Sequence, residues 1–77
     1  MNVTLYTKVG CRLCEEAEDA LRRLAKFIQF EFRLVYIEDE PALLDRLADS
    51  VPVVYVDGRE VASAPVDEAA LRVVLSA

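Results

Sequence analysis

Tyr6-Thr7-Lys8-Val9-Gly10-Cys11-Arg12-Leu13-Cys14-Glu15-Glu16 joins a short apolar run to a patterned amphipathic segment, and its reading decides the fold. Val3 to Tyr6, before it, is β-branched and aromatic and predicts a strand. Gly10 marks a turn. A helix then starts at or just before the cysteines and runs to about Lys26, with Leu13, Ala17, Ala20, Leu21, Leu24 and Ile28 on one face. Glu15, Glu16, Glu18 and Asp19 in its first turns, and Arg22, Arg23 and Lys26 in its last, complement the helix dipole. Glu18–Arg22 and Asp19–Arg23 have the favourable i,i+4 orientation. The turn puts Cys11 where helical N–H groups lack an intrahelical partner. Those donors and the dipole favour a thiolate, which is the nucleophilic form of cysteine. Cys11 is therefore the expected attacking thiol, nearer solvent, and Cys14, one helical step further in, the expected resolving thiol.

The remaining elements follow closely. Phe30 to Ile37 predicts a second strand, with Phe30, Phe32, Leu34 and Tyr36 on one face. A strand–helix–strand unit of this length favours a parallel pair with a right-handed crossover. Asp39-Glu40-Pro41 is a helix start, and Leu43, Leu44 and Leu47 are the expected buried side. Val51 to Val56 predicts a third strand, with Pro52 at its start, where a sheet tolerates proline. Asp57-Gly58 signals a tight hairpin to a short antiparallel fourth strand, Glu60 to Ala62. A last helix begins between Pro65 and Asp67 and carries Val66, Ala70, Leu71, Val74 and Leu75. The order is β-α-β-α-β-β-α, one α/β domain over residues 1–77.

Composition narrows the function. The hydrophobic fraction of 55% suffices for a core in a 77-residue chain. No apolar run reaches the ~20 residues of a membrane span. Met1-Asn2 leads directly into the first strand with no signal-peptide pattern, so a cytoplasmic location is expected. Acidic residues outnumber basic ones 14 to 9, for a net charge of −5, and no basic stripe appears. Nucleic acid and anionic membranes are therefore not the expected partners. Histidine is absent, which excludes Cys/His catalysis and His-containing metal sites. A bridge between Cys11 and Cys14 closes almost no loop and would stabilise little by constraining the unfolded chain. In a reducing compartment such a bridge is expected to be transient and catalytic.

This element order, with C-x-x-C at the first strand–helix junction, resembles the thioredoxin fold. The residues resemble the glutaredoxin family, especially its short bacterial members. Leu5-Tyr6-Thr7-Lys8 followed by Cys11 and Cys14 is similar to the family's active-site entry, Val51-Pro52 to its Val-Pro pair, and Val56-Asp57-Gly58-Arg59-Glu60-Val61 to the hairpin after it. The resemblance implies a four-stranded mixed sheet with helices on both faces, and a dithiol oxidoreductase with Cys11 and Cys14 as catalytic residues. It implies a cis Val51–Pro52 bond near Cys11, leaving the Val51 backbone to pair with an extended substrate. Lys8, Arg12, Val51 and Pro52 are the expected substrate-binding residues, with Lys8 tuning Cys11 or meeting a substrate carboxylate. Arg12-Leu13 stands where the family usually has Pro-Tyr, and Ala62-Ser63-Ala64-Pro65 where it has a Gly-Gly pair and an acid that help hold glutathione.

The expected protein is a monomer without bound cofactor or metal. Its substrate is a protein disulfide or a small thiol disulfide. Its reductant is glutathione or a thioredoxin-reductase-type donor. Two other readings stand beside this one. Structural zinc normally takes four ligands, and one chain offers two cysteines, so a metal or iron–sulfur centre would need Cys11 from each chain of a dimer. A non-catalytic thioredoxin-fold binding module would use neither cysteine.

Overall fold

Asn2–Thr7 forms β1, the strand against which the molecule is built. The computed structural model describes residues 1–76. Within it α1 spans Arg12–Leu24, β2 Glu31–Tyr36, α2 Pro41–Leu47, β3 Val53–Val56, β4 Arg59–Ser63 and α3 Glu68–Ser76. A 3₁₀ turn, Ile37–Asp39, separates β2 from α2. The sheet order is β2-β1-β3-β4. β1 runs parallel to β2 in the register Val3↔Phe32 and Thr7↔Tyr36. It runs antiparallel to β3, which pairs antiparallel with β4. The α/β order and the mixed four-stranded sheet are as the sequence predicts.

Strand alternation divides the core. Val3 and Leu5 project from one face of β1 and pack with Val54, with Ala17, Leu21 and Leu24 of α1, and with Leu71 and Leu75 of α3. Tyr6 projects to the other face, where Leu43 and Leu47 of α2 join a small cluster of Cys14, Ile37 and Val51. The first face holds most of the buried apolar residues. No residue of α2 is fully buried.

Several boundaries and faces differ from expectation. Leu13 is 47% exposed, and Cys14, one position on, is 1% exposed and takes the inward place. The stripe is thus Cys14, Ala17, Ala20, Leu21 and Leu24. α1 stops before Lys26 because Lys26 and Phe27 bond back three residues to Arg23 and Leu24, tightening the last turn. Ile37 leaves the strand for the 3₁₀ turn, where it is fully buried. Leu44, Ala70 and Val74 face solvent, since short helices on a small sheet can cover only one narrow stripe. Glu18 and Arg22 pair as expected at 2.9 Å. Arg23 instead crosses to Glu68 of α3, with contacts of 2.6, 3.1 and 3.3 Å, and so links the two helices of one face.

The hairpin follows its chemistry. Asp57 and Gly58 both have positive φ, 50° and 86°, as a type I′ turn requires. Asp57 also anchors the start of β1: its carboxylate accepts from the Asn2 N–H at 2.8 Å, and its N–H donates to the Asn2 carbonyl at 2.9 Å.

Candidate active site

The cysteine pair sits where β1 turns into α1. Gly10 has φ +72°, a conformation that costs glycine little, and it lets the chain reverse after β1. Cys11 follows with extended backbone as the N-cap of α1. Its Sγ accepts a hydrogen bond from the Cys14 N–H at 3.2 Å, and its carbonyl accepts from the Glu15 N–H at 3.0 Å. Cys11 thus caps the helix with sulfur in the position that Ser or Asp oxygen more often fills.

Cys11 and Cys14 are joined as a disulfide, with Cα atoms 5.2 Å apart, inside the usual range for such bonds. The two sulfurs are not equivalent. Cys11 is half-buried at the rim, whereas Cys14 is enclosed with Ile37 and Val51. Two side chains beside Cys11 are exposed and apolar, Val9 at 73% and Leu13 between the cysteines.

The other expected site residues are partly assembled here. Val51 and Pro52 are buried and joined by a cis bond, and Val51 packs in the same cluster as Cys14. The Val51 N–H is already committed, donating to Leu47 O at 3.2 Å, so the expected free backbone is reduced to the carbonyl side. Ala64–Pro65 is a second cis bond, which the sequence reading missed. Lys8 Nζ donates to Ala48 O at 3.2 Å, placing a cation at the C-terminal end of α2. Arg12 is exposed and lies 3.4 Å from Glu16 one turn on. Among the described residues no group of three or more metal-ligating side chains comes together.

One residue at the site was overlooked. Glu38, in the 3₁₀ turn, accepts from the Val9 N–H at 2.8 Å and ties the loop before Cys11 to the segment after β2. Continuing the β1–β2 register beyond Thr7↔Tyr36 sets Val9 beside Glu38, but that inference needs the register first.

The strand order, and the half-exposed N-cap cysteine bonded to a buried partner, define a thioredoxin-fold domain whose C-x-x-C pair fits a redox role. Residues 2–76 match the family model described as "Glutaredoxin-like domain (DUF836)", and the chain belongs to that family. It is 32% identical over 75 residues to an uncharacterized protein of Mycobacterium tuberculosis, covering 91% of this chain and 77% of that one. A structural-genomics target protein from X. campestris superposes with a TM-score of 0.77 at 37% identity, covering 96% of this chain and 95% of that one. A Nitrosomonas europaea protein superposes with a TM-score of 0.79 at 29% identity, covering 96% and 89%. A thioredoxin of Halobacterium salinarum shares the fold, with a TM-score of 0.72 at 21% identity over 97% of this chain and 71% of that one. Among the described residues no helix is long and apolar enough to cross a membrane.

Proposed function

We propose that the protein is a cytoplasmic, monomeric dithiol–disulfide oxidoreductase. Its substrate is a disulfide, in a protein or in a small thiol compound. In the reduced protein the Cys11 thiolate attacks one substrate sulfur. The Cys11–substrate bond forms, the substrate S–S bond breaks, and the departing thiolate takes a proton from water. Cys14 then gives up its proton and attacks Cys11 Sγ. The Cys11–Cys14 bond forms and the second substrate thiol leaves. Two electrons pass from the protein dithiol to the substrate, and glutathione or a thioredoxin-reductase-type donor restores the dithiol.

The observation that carries this reading is the asymmetry of the pair: a rim sulfur bonded to a helix N-terminal amide, and a buried sulfur bonded to it. The same amide and the helix dipole favour charge on Cys11 and give Cys14 no comparable help. Val51, which packs with Cys14, and Pro52 next to it are the proposed wall for the substrate, and the Val51 carbonyl is the group to receive an N–H of an extended substrate. Lys8 and Arg12 contribute positive charge at the approach.

The test is trapping. Cys14→Ser is expected to accumulate a mixed disulfide through Cys11, seen by mass spectrometry and reversed by reductant. Cys11→Ser is expected to reduce no disulfide. Activity retained by Cys11→Ser sinks the proposal.

A further inference from the structure

The loop that presents Cys11 is held from outside its own element. Val9 N–H lies beyond the last β1–β2 pair, Thr7↔Tyr36. Its protein acceptor is Glu38, whose Oε2 takes it at 2.8 Å from 29 residues away; without it the N–H would be left to water and the loop untied. This contact fixes the turn two residues before the attacking sulfur. It also sets a full negative charge there. By chain geometry the carboxylate lies within about 12 Å of the Cys11 Cα.

The charges around it do not cancel. Lys8 donates to the Ala48 carbonyl, a neutral acceptor, and keeps its charge. Arg12 lies against Glu16. Among the described residues neither Glu15 nor Glu38 has an ion-pair partner; Glu15 follows Cys11 by four residues, and Glu38 holds the N–H of Val9, two residues before it. The exposed residues two before and two after Cys11, Val9 and Leu13, are apolar. With Arg12 paired to Glu16, the two acids Glu15 and Glu38 outnumber the one cation Lys8, and a doubly negative disulfide meets net negative charge where a neutral or cationic one is not repelled.

We infer that Glu38 is a positioning and specificity residue: it fixes the Cys11 loop through the Val9 N–H and disfavours anionic disulfides, glutathione disulfide among them, relative to neutral and cationic ones. The inference rests on the oxidoreductase reading, because it biases the encounter from which that reaction starts.

At about 12 Å in water a unit charge changes an encounter rate roughly two-fold per unit of substrate charge. This is seen at low ionic strength, ~0.01 M, and is screened near ~1 M. The experiment is single-turnover oxidation of the pre-reduced protein by three small disulfides: glutathione disulfide (anionic), hydroxyethyl disulfide (neutral) and cystamine (cationic). It needs no reductase. Glu38→Gln keeps an acceptor for the Val9 N–H and removes the charge. It is expected to leave the neutral rate unchanged and to lower the cystamine-to-glutathione-disulfide rate ratio about ten-fold at ~0.01 M salt, with the change vanishing near ~1 M. Glu38→Ala removes the clamp as well, and is expected to slow the neutral disulfide several-fold, with Gln rescuing that rate. An unchanged ratio in Glu38→Gln, or a neutral rate unaffected in Glu38→Ala, overturns the inference while leaving the oxidoreductase reading intact. Failure of the wild-type protein to react with the neutral disulfide overturns both.

Discussion

Two leucines on α1 separate stability from reactivity. Leu21 is fully buried between β1, Val54 and α3, and Leu13 stands between the cysteines with nearly half its surface in water. Leu21→Ala removes buried methyl groups and leaves a cavity, at a cost of about 2–5 kcal/mol. A chain of this length has a total stability of roughly 4–12 kcal/mol, so the loss is a large share of it. At roughly 6 °C per kcal/mol for a domain of this size, the melting temperature of the oxidised protein should fall by about 12–30 °C. Leu13→Ala empties no core space and puts a better helix former in place, so its stability should stay within about 0.5 kcal/mol. Its effect is expected on turnover. If a substrate covers the exposed half of the side chain, about 1 kcal/mol of contact is lost, or roughly a five-fold fall in kcat/KM on a protein disulfide. The assays are circular-dichroism melts and steady-state disulfide reduction below the melting transition. If Leu13→Ala melts as far down as Leu21→Ala, or Leu21→Ala costs less than about 1 kcal/mol, the burial pattern of α1 described above is wrong.

Three further outcomes are expected. The Cys11 thiol of the reduced protein, followed by thiolate absorbance, should titrate below the ~8.5 of a free cysteine, since the Cys14 N–H and the helix dipole favour its anion; a midpoint at or above that value removes the basis for choosing Cys11 as the attacking thiol. Glu68 ionises below the ordinary carboxylate range, first because Arg23 hydrogen-bonds it and then by its charge, with desolvation opposing. A depressed folded value gives stability present above the ordinary Glu pKa of ~4.3 and lost as pH falls through the lower folded value. Glu68→Gln should therefore melt below wild type at neutral pH, by the small amount usual for an exposed pair, and the gap should close in acid; a gap that persists there refutes the ion pair. Gly58→Ala meets no atom within 4 Å of the added Cβ but is held at φ +86°, so its cost of about 1–2 kcal/mol is purely conformational. Denaturant titration should show it, and no loss would mean the turn relaxes to another type.

Periodicity and turn chemistry were enough for the element order, the parallel first pair, the hairpin and the position of Cys11. These depend on local signals: the β-branched run Val3–Tyr6, the stripe from Ala17 to Leu24, and Asp57-Gly58. What was misread depends on contacts between distant segments. Leu13 and Cys14 are adjacent and both apolar, and a rotation of one residue decides which is inward; only the packing against Ile37 and Val51 settles it. Arg23 had an acid four residues back and chose Glu68, 45 residues on, because α1 and α3 share a face. The Glu38–Val9 bond was illegible for the same reason, since it joins segments 29 residues apart, whereas the Val51 N–H is a local miss: it bonds Leu47, the last residue of α2, four residues back.

The two faces of the sheet carry different burdens. Beneath α1 and α3 a continuous apolar core runs from Val3 to Leu75, and it fixes the axis of α1. On the opposite face α2 contributes no fully buried residue and rests on the Cys14, Ile37 and Val51 cluster. The helix that presents Cys11 is thus anchored by the well-packed face, while the wall beside the sulfurs belongs to the thinly packed one. Such a division keeps the N-cap geometry rigid, as charge stabilisation at a fixed amide demands. It leaves the lower-stability segment, where local opening is cheapest, beside the sulfurs, which is where the proposed reaction would bring a substrate chain.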